Sequence, residues 1–380
     1  MKAFKLILLV MAGALMVFGL STSALAFHDG GVAHCDGCHT MHNSADGVEV
    51  GPGGGDLTIG SDPTSTCLNC HNGSGSYHIN STDGSNFTGG GDFYWLSKTF
   101  TWTAHGSPQA SEGDNHGHNV VAVDYGLTAD TTLTQAPGGT YNAAALSCTS
   151  CHDPHGKKVG AGAIEVSGSY GADPTARQTG NYRLLGDDGY DAGSSVQFTS
   201  EVPIATAPSL FAGGESDSNH VDYGQNMSEW CANCHGSFSG AGKHPSGNAA
   251  ELSDDDIYIN YNTYVRTGDM TGNQATAYLA LVPFERGSSD PTALIPATTV
   301  GPDGNSNVMC LSCHRAHASA FENATRWDMT TEFPATDSHP AAGDGGVTGD
   351  DILNSYYGRD MVAQFGAFQR SLCNKCHAQD

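Results

Sequence analysis

All twelve cysteines of this chain fall in one repeated motif, Cys-x-x-Cys-His. The six copies are Cys35-Asp-Gly-Cys38-His39, Cys67-Leu-Asn-Cys70-His71, Cys148-Thr-Ser-Cys151-His152, Cys231-Ala-Asn-Cys234-His235, Cys310-Leu-Ser-Cys313-His314 and Cys373-Asn-Lys-Cys376-His377. Two thiols at this spacing lie about one helical turn apart and meet the two vinyl groups on one edge of a porphyrin. The adjacent imidazole then lies under the iron as proximal ligand. The motifs therefore predict six covalently attached c-type hemes, with His39, His71, His152, His235, His314 and His377 as proximal ligands. Disulfides would leave the trailing histidines unexplained. So would zinc sites, which pair two Cys-x-x-Cys units with each other.

The chain has 18 histidines, so the six proximal ones leave more than enough for a second imidazole at every iron. Three of the remainder repeat one spacing: His42 follows His39, His155 follows His152, and His317 follows His314, each by three residues. Positions i and i+3 share one side of a helical turn, so the second histidine cannot reach the opposite face of its own heme. It can reach the iron of a heme packed alongside. His118 (in His116-Gly-His118) and His244 (in Lys243-His244-Pro) sit in loops able to bend toward an iron, and His78 follows its motif closely. The expected distal set is thus His42, His78, His118, His155, His244 and His317, with His28 and His116 as rivals. His34, His105, His220 and His339 read as solvated loop residues. Met41 and Met309 lie near motifs, but the histidine surplus argues against methionine ligands.

Lys2 and Lys5, the apolar run Leu6–Leu20 and the small residues Ser23-Ala24-Leu25-Ala26 have the pattern of a secretory signal peptide. The expected organisation is residues 1–26 as signal and 27–380 as one hexaheme domain, exported and without a membrane span. The formal net charge of −25 repels nucleic acid and anionic lipid. With 50 glycines and only 38% hydrophobic residues, side chains alone make a thin core, and something else must fill the interior. The expected fold is mostly irregular, with short α-helices, very few strands, and the chain wrapped around a line of six hemes.

Glycine-marked stretches at 51–55, 89–91 and 343–349 read as loops. The best helix runs from Ser253, an N-cap followed by Asp254 to Asp256, to Gly268. Further helices are expected at 274–281, 350–357 and 360–370, with short helical turns around each motif. Asp303-Gly-Asn305-Ser-Asn307 resembles the opening of a calcium loop but lacks the required Gly and Glu.

Longer stretches carry a resemblance beyond the attachment motifs. They include Phe27-His-Asp-Gly-Gly-Val-Ala-His-Cys-Asp-Gly-Cys-His-Thr-Met-His42, His116-Gly-His-Asn119, Asp130-Thr-Thr-Leu-Thr-Gln-Ala-Pro-Gly-Gly-Thr-Tyr141 and Cys151-His-Asp-Pro-His-Gly156. Others are Tyr223-Gly-Gln-Asn-Met-Ser-Glu-Trp-Cys-Ala-Asn-Cys-His235, Cys310-Leu-Ser-Cys-His-Arg-Ala-His317, Tyr356-Tyr-Gly-Arg359 and Gln369-Arg-Ser-Leu-Cys-Asn-Lys-Cys-His-Ala378. In these the chain resembles the extracellular hexaheme c-type cytochromes that polymerise into filaments in metal-reducing bacteria. The resemblance implies bis-His ligation at all six hemes, arranged in alternating stacked and T-shaped pairs. It also implies that His42 ligates the heme on Cys310, Cys313 and His314 of the adjoining subunit, making a head-to-tail filament.

The expected function is extracellular electron transfer, one electron at a time, to redox partner cytochromes and extracellular acceptors such as metal oxides. A monomeric periplasmic shuttle is the alternative. A multiheme reductase needs an iron with an open axial position, which the histidine surplus disfavours, so no enzymatic activity is expected.

Overall fold

The computed structural model describes residues 37–40, 44–45, 48–49, 57–75, 77–154, 157–159, 163–165, 181–208, 214–238, 245–253 and 256–377. The signal segment, Cys35, His28, His34, His42, Met41, the 51–55 loop, His155, His244, Asp254 and Asp255 lie outside the described residues.

Regular structure is sparse. Strands occur only as two-stranded antiparallel pairs among the described residues: β1 (Ser44–Ala45) with β2 (Val48–Glu49), β3 (Phe100–Ala104) with β4 (Ser107–Ser111), β5 (Lys157–Val159) with β6 (Ala163–Glu165), and β7 (Ile204–Thr206) with β8 (Asp222–Gln225). The helices are α1 (Pro63–His71), α2 (Met227–Cys231), α3 (Ile257–Thr263), α4 (Asp351–Ser355), α5 (Met361–Phe365) and α6 (Asn374–His377). Three of them carry attachment motifs. Short 3₁₀ turns at Cys148–Ser150 and Cys310–Ser312 carry two more. α1 shows why: Asp62 caps it by accepting from Ser65 N (2.8 Å), and Pro63 takes the first position, where its missing N–H costs nothing.

Two helix expectations need correction. The helix expected from Ser253 begins only at Ile257, after Asp256 in a left-handed conformation (φ 57°), and ends at Thr263. There the Thr263 hydroxyl bonds back to the Ile259 carbonyl (2.8 Å), and Val265 to Asp269 form a tight turn with Gly268 at φ 76°. The helix expected at 274–281 is a single 3₁₀ turn, Gln274–Thr276. Beyond it Tyr278 to Val282 is buried on every side, so helical amphipathicity has no face to choose. Its backbone is satisfied from outside: Ala280 N donates to Asp217 (2.8 Å), Leu279 N to the Tyr261 hydroxyl (3.1 Å). The other two helices appear as α4 and α5; Gly366 (φ 89°) ends α5 early.

The core is divided. One cluster gathers Tyr278 to Val282 with Tyr261, Phe284, Phe321, Trp327 and Leu372, and Cys313 and Cys376 pack against it. A second holds Tyr182, Leu185, Val221, Tyr223, Met227, Met309 and Leu311, with Cys231 at its edge. A third surrounds Phe93, Trp95 and Phe100. Met309 is thus a core residue.

Candidate heme centres

None of the eleven described cysteines is consumed by a disulfide. The motifs come in two structural kinds, and these alternate along the chain. At the third motif the chain returns antiparallel beside the histidine: Asp153 N donates to Leu184 O (2.7 Å) and Gly186 N to Cys151 O (2.9 Å). The fifth motif repeats this, with Arg315 N to Ala324 O (2.7 Å) and Arg326 N to Cys313 O (2.8 Å). The first does too, with Thr40 N to Leu57 O (2.6 Å) and Ile59 N to Cys38 O (3.0 Å). In each return segment a non-glycine residue is left-handed: Leu57 (φ 58°), Leu184 (φ 56°) and Ala324 (φ 52°). These three motifs are the ones followed by a histidine at i+3.

The second and fourth motifs lie on helices that support the motif after them. Thr64, three residues before Cys67, accepts from Cys148 N (3.2 Å). Ser228, three residues before Cys231, accepts from Cys310 N (3.0 Å). The Cys67 thiol contacts that of Cys148, and the Cys231 thiol that of Cys310. A cleft lined by Ser228, Glu229, Cys231, His235, Ser246 and Cys310 opens where the fourth and fifth motifs meet.

The proximal histidines are oriented alike. The Nδ1 atoms of His71, His152, His235 and His314 lie 2.8 Å from the carbonyl oxygens of Tyr77, Arg183, Pro137 and Asn323 respectively. Donation from Nδ1–H to a carbonyl fixes the tautomer and leaves Nε2 as a metal-binding lone pair. His118 does the same, with Nδ1 2.7 Å from Ala316 O. Two of the carbonyls come from left-handed residues, Arg183 (φ 50°) and Asn323 (φ 57°), which explains the unusual turns.

Two pairs of imidazoles lie close together, their planes tilted by 56° and 49°. His152 and His317 have ring centroids 6.4 Å apart, and His118 and His235 5.9 Å apart. An iron held between two imidazoles separates their centroids by roughly 6 Å, given metal–nitrogen bonds of about 2 Å and about 1 Å from each nitrogen to its ring centre. The residues present therefore fit heme iron. Burial pushes His317 down to about 3, with the neighbouring His152 acting in the same sense, so the His317 ring is neutral. Burial, then His235, also lowers His118. Gly90 permits the approach at His317, since a Cβ there would stand 2.9 Å from Nδ1. Phe93 stacks on the His317 ring at 4.9 Å.

The remaining histidines divide clearly. His78 lies in the loop after α1, its ring tilted against that of Tyr77 (centroids 4.3 Å apart), and contributes to lowering the pKa of His71, for which burial is the main cause. His39, His314 and His377 are exposed. His116, the rival of His118, is fully buried with both nitrogens engaged, Nε2 with Ser111 Oγ (2.8 Å) and Nδ1 with Trp95 O (3.0 Å). It serves the core. His220 and His339 are not solvated loop residues. His220 is buried between Val221 O and Thr298 O (both 2.9 Å) and stacks on Tyr278. His339 stacks on Trp102 (3.8 Å) and pairs with Asp344 (2.7 Å). His105 is exposed in the β3–β4 turn. The return segments at 57–59, 183–186 and 323–326 carry no sequence signal except Asn323, a residue that tolerates the left-handed region.

No family model matches the chain. It is 43% identical, over an alignment of 436 positions covering all of both proteins, to the C-type cytochrome OmcS of Geobacter sulfurreducens. Among solved structures it is similar to the Outer Membrane Cytochrome S filament from Geobacter sulfurreducens (TM-score 0.79, 42% identity, 93% of this chain and 100% of that one). A cryo-EM structure of the OmcS nanowires from the same organism gives a TM-score of 0.76 at the same identity and coverage.

Proposed function

Because the chain belongs to the OmcS family of electron-transferring c-type cytochromes, we propose that it is a hexaheme subunit of an extracellular filament that conducts electrons to acceptors such as metal oxides. When bound, the hemes supply one-electron exchange between ferric and ferrous iron. The chain's own residues hold, orient and space them. The twelve motif cysteines form the thioether bonds, and His39, His71, His152, His235, His314 and His377 are the proximal ligands.

The observation that carries this reading is the pair of opposed imidazoles, His152 with His317 and His118 with His235. It also suggests a rule. His317 belongs to the fifth motif and faces the third, two motifs back. The same step assigns His155 to the iron at His39. It assigns His42, with no earlier motif in its own chain, to the iron at His314 of the adjoining subunit. His78 and His244 complete the set. A donor at one end and an open iron at the other is a heterologous contact, which generates open filaments when its rotation does not close.

Pyridine hemochrome assay of the secreted protein, with negative-stain imaging, tests the reading. Six hemes per chain and long filaments are expected. Six hemes on a protein that stays monomeric would favour a periplasmic shuttle, and a strong high-spin resonance in assembled material would favour a reductase.

A further inference from the structure

Glu285 is buried completely, with relative exposure of 0%. It sits in the segment that lies parallel to Tyr223 of β8 and antiparallel to Asn307, with Glu285 N donating to Asn307 O (3.0 Å) and Asn307 N to Glu285 O (2.8 Å). One carboxyl oxygen accepts from the backbone N–H of Met227, the first residue of α2 (2.8 Å). The other is buried without a hydrogen-bond partner. An ionised carboxylate with a bare buried oxygen costs far more than a protonated, neutral one.

The surrounding charges do not relieve this cost. From α2 the facing titratable group is Glu229, another carboxylate, whose Oε1 accepts from Asn248 N (2.7 Å). From the fifth motif it is Cys310, which heme attachment converts to a neutral thioether. β8 contributes Asp222, already paired with Arg286 Nε (2.8 Å). The segment before the fifth motif presents Ser306 and Asn307, and exposed Glu251 lies beyond Asn307. Arg286, next in sequence, stacks on Phe284 and donates to Val300 O (2.8 Å). Burial, with Glu229 acting in the same sense, raises the Glu285 carboxyl to about 8, despite the opposing Met227 N–H.

We propose that Glu285 is a proton-binding site linked to the electron occupancy of the fourth and fifth motifs, between which it is wedged. The inference rests on the reading of those motifs as heme sites. An electron from a redox partner converts one ferric iron to ferrous and adds one negative charge nearby. The Glu285 carboxylate then binds one proton from solvent, so the neighbourhood keeps its charge; oxidation releases both. The cleft between the two motifs, lined by Glu229, Cys231 and Cys310, is the route by which the proton enters.

The test is a spectroelectrochemical titration of the holoprotein between pH 6 and pH 9, beside Glu285→Gln, which keeps an acceptor for Met227 N but binds no proton. In the wild type one heme potential should fall with pH, approaching ~59 mV per unit, the one-electron equivalent of a tenfold change. The variant should lose that slope with its heme content and low-spin spectrum unchanged. Redox-difference infrared spectra of the wild type at pH 8 should show a protonated carboxyl band on reduction. Equal slopes in both proteins, or no such band, overturns the proposal. Should the variant fail to fold, the wild-type infrared experiment decides alone. Peptide mass spectrometry separates the two levels: absence of heme on Cys231, Cys234, Cys310 and Cys313 would sink the functional reading itself, and this inference with it.

Discussion

The third and fifth motifs use the same backbone device for opposite ends. Each is a tight turn whose histidine Nδ1 is held by a carbonyl from a returning segment in the left-handed region. At the third motif His317 stands opposite His152, inside one chain. At the fifth, His314 has no facing imidazole among the described residues and is exposed. The side chains differ as well. Where the third motif has Asp153 and Gly186, the fifth has Arg315 and Arg326, both buried against Glu215. The turn is thus a reusable mount, and what varies is what closes over it: a histidine of the same chain, or, on our reading, the next subunit.

Two alanine substitutions should break the comparison most severely. His317→Ala should leave one iron per chain without its second imidazole whether or not subunits assemble, seen as a high-spin resonance in monomer and filament alike. His42→Ala should abolish or shorten filaments and leave its open iron only at the fifth motif. Long filaments of His42→Ala with six low-spin hemes would show that the fifth motif is closed from within.

Next in size is the charge buried beneath the fifth motif. Burial pushes the Glu215 carboxyl up, but Arg315 and Arg326 outweigh it and hold the group at about 2, below the ordinary 4.5. A carboxylate with a depressed folded pKa binds fewer protons folded than unfolded. Its stabilisation is therefore full above pH 4.5 and is lost as pH falls toward 2. Glu215→Gln leaves two guanidinium groups buried around a neutral amide and should cost about 3–5 kcal/mol. Chemical denaturation at pH 7 measures the loss, and this acid-sensitive component should vanish from the variant.

The smallest effect sharpens the comparison by sign. Ala324 and Leu184 occupy matching left-handed positions, but only leucine packs a large side chain there. Ala324→Gly should stabilise by about 0.5–1 kcal/mol by removing the left-handed penalty, net of glycine's greater freedom when unfolded. Leu184→Gly should destabilise by about 1–3 kcal/mol, because lost packing exceeds that relief. Thermal melts of both variants decide it.

The attachment motifs were legible because their chemistry is written in contiguous residues. So was the sparse regular structure, from glycine content and a thin apolar fraction. The stretch from Tyr278 to Val282 was not, because an apolar run buried on all sides has no period to read. Nor was the difference between His116 and His118. The two are separated by one glycine, and only the packing of Trp95 and Ser111 around the first reveals that both its nitrogens are spent. The return segments have no local signature, because a leucine or alanine in the left-handed region is a tertiary imposition, opposed to local preference.

The carbonyls that orient the proximal histidines lie at very different distances along the chain. His71 finds its acceptor 6 residues away and His314 finds one 9 away, whereas His152 must wait for a residue 31 further on and His235 reaches back 98. From the shortest to the longest is about four doublings of loop length, or roughly 2.5 kcal/mol of additional closure entropy. Local turns close before distant ones in a folding chain. The second and fifth motifs are therefore set early by their own neighbourhoods. The fourth acquires its fixed imidazole only when the segment around Pro137 docks, so the order in which the centres mature is not the order in which they are synthesised.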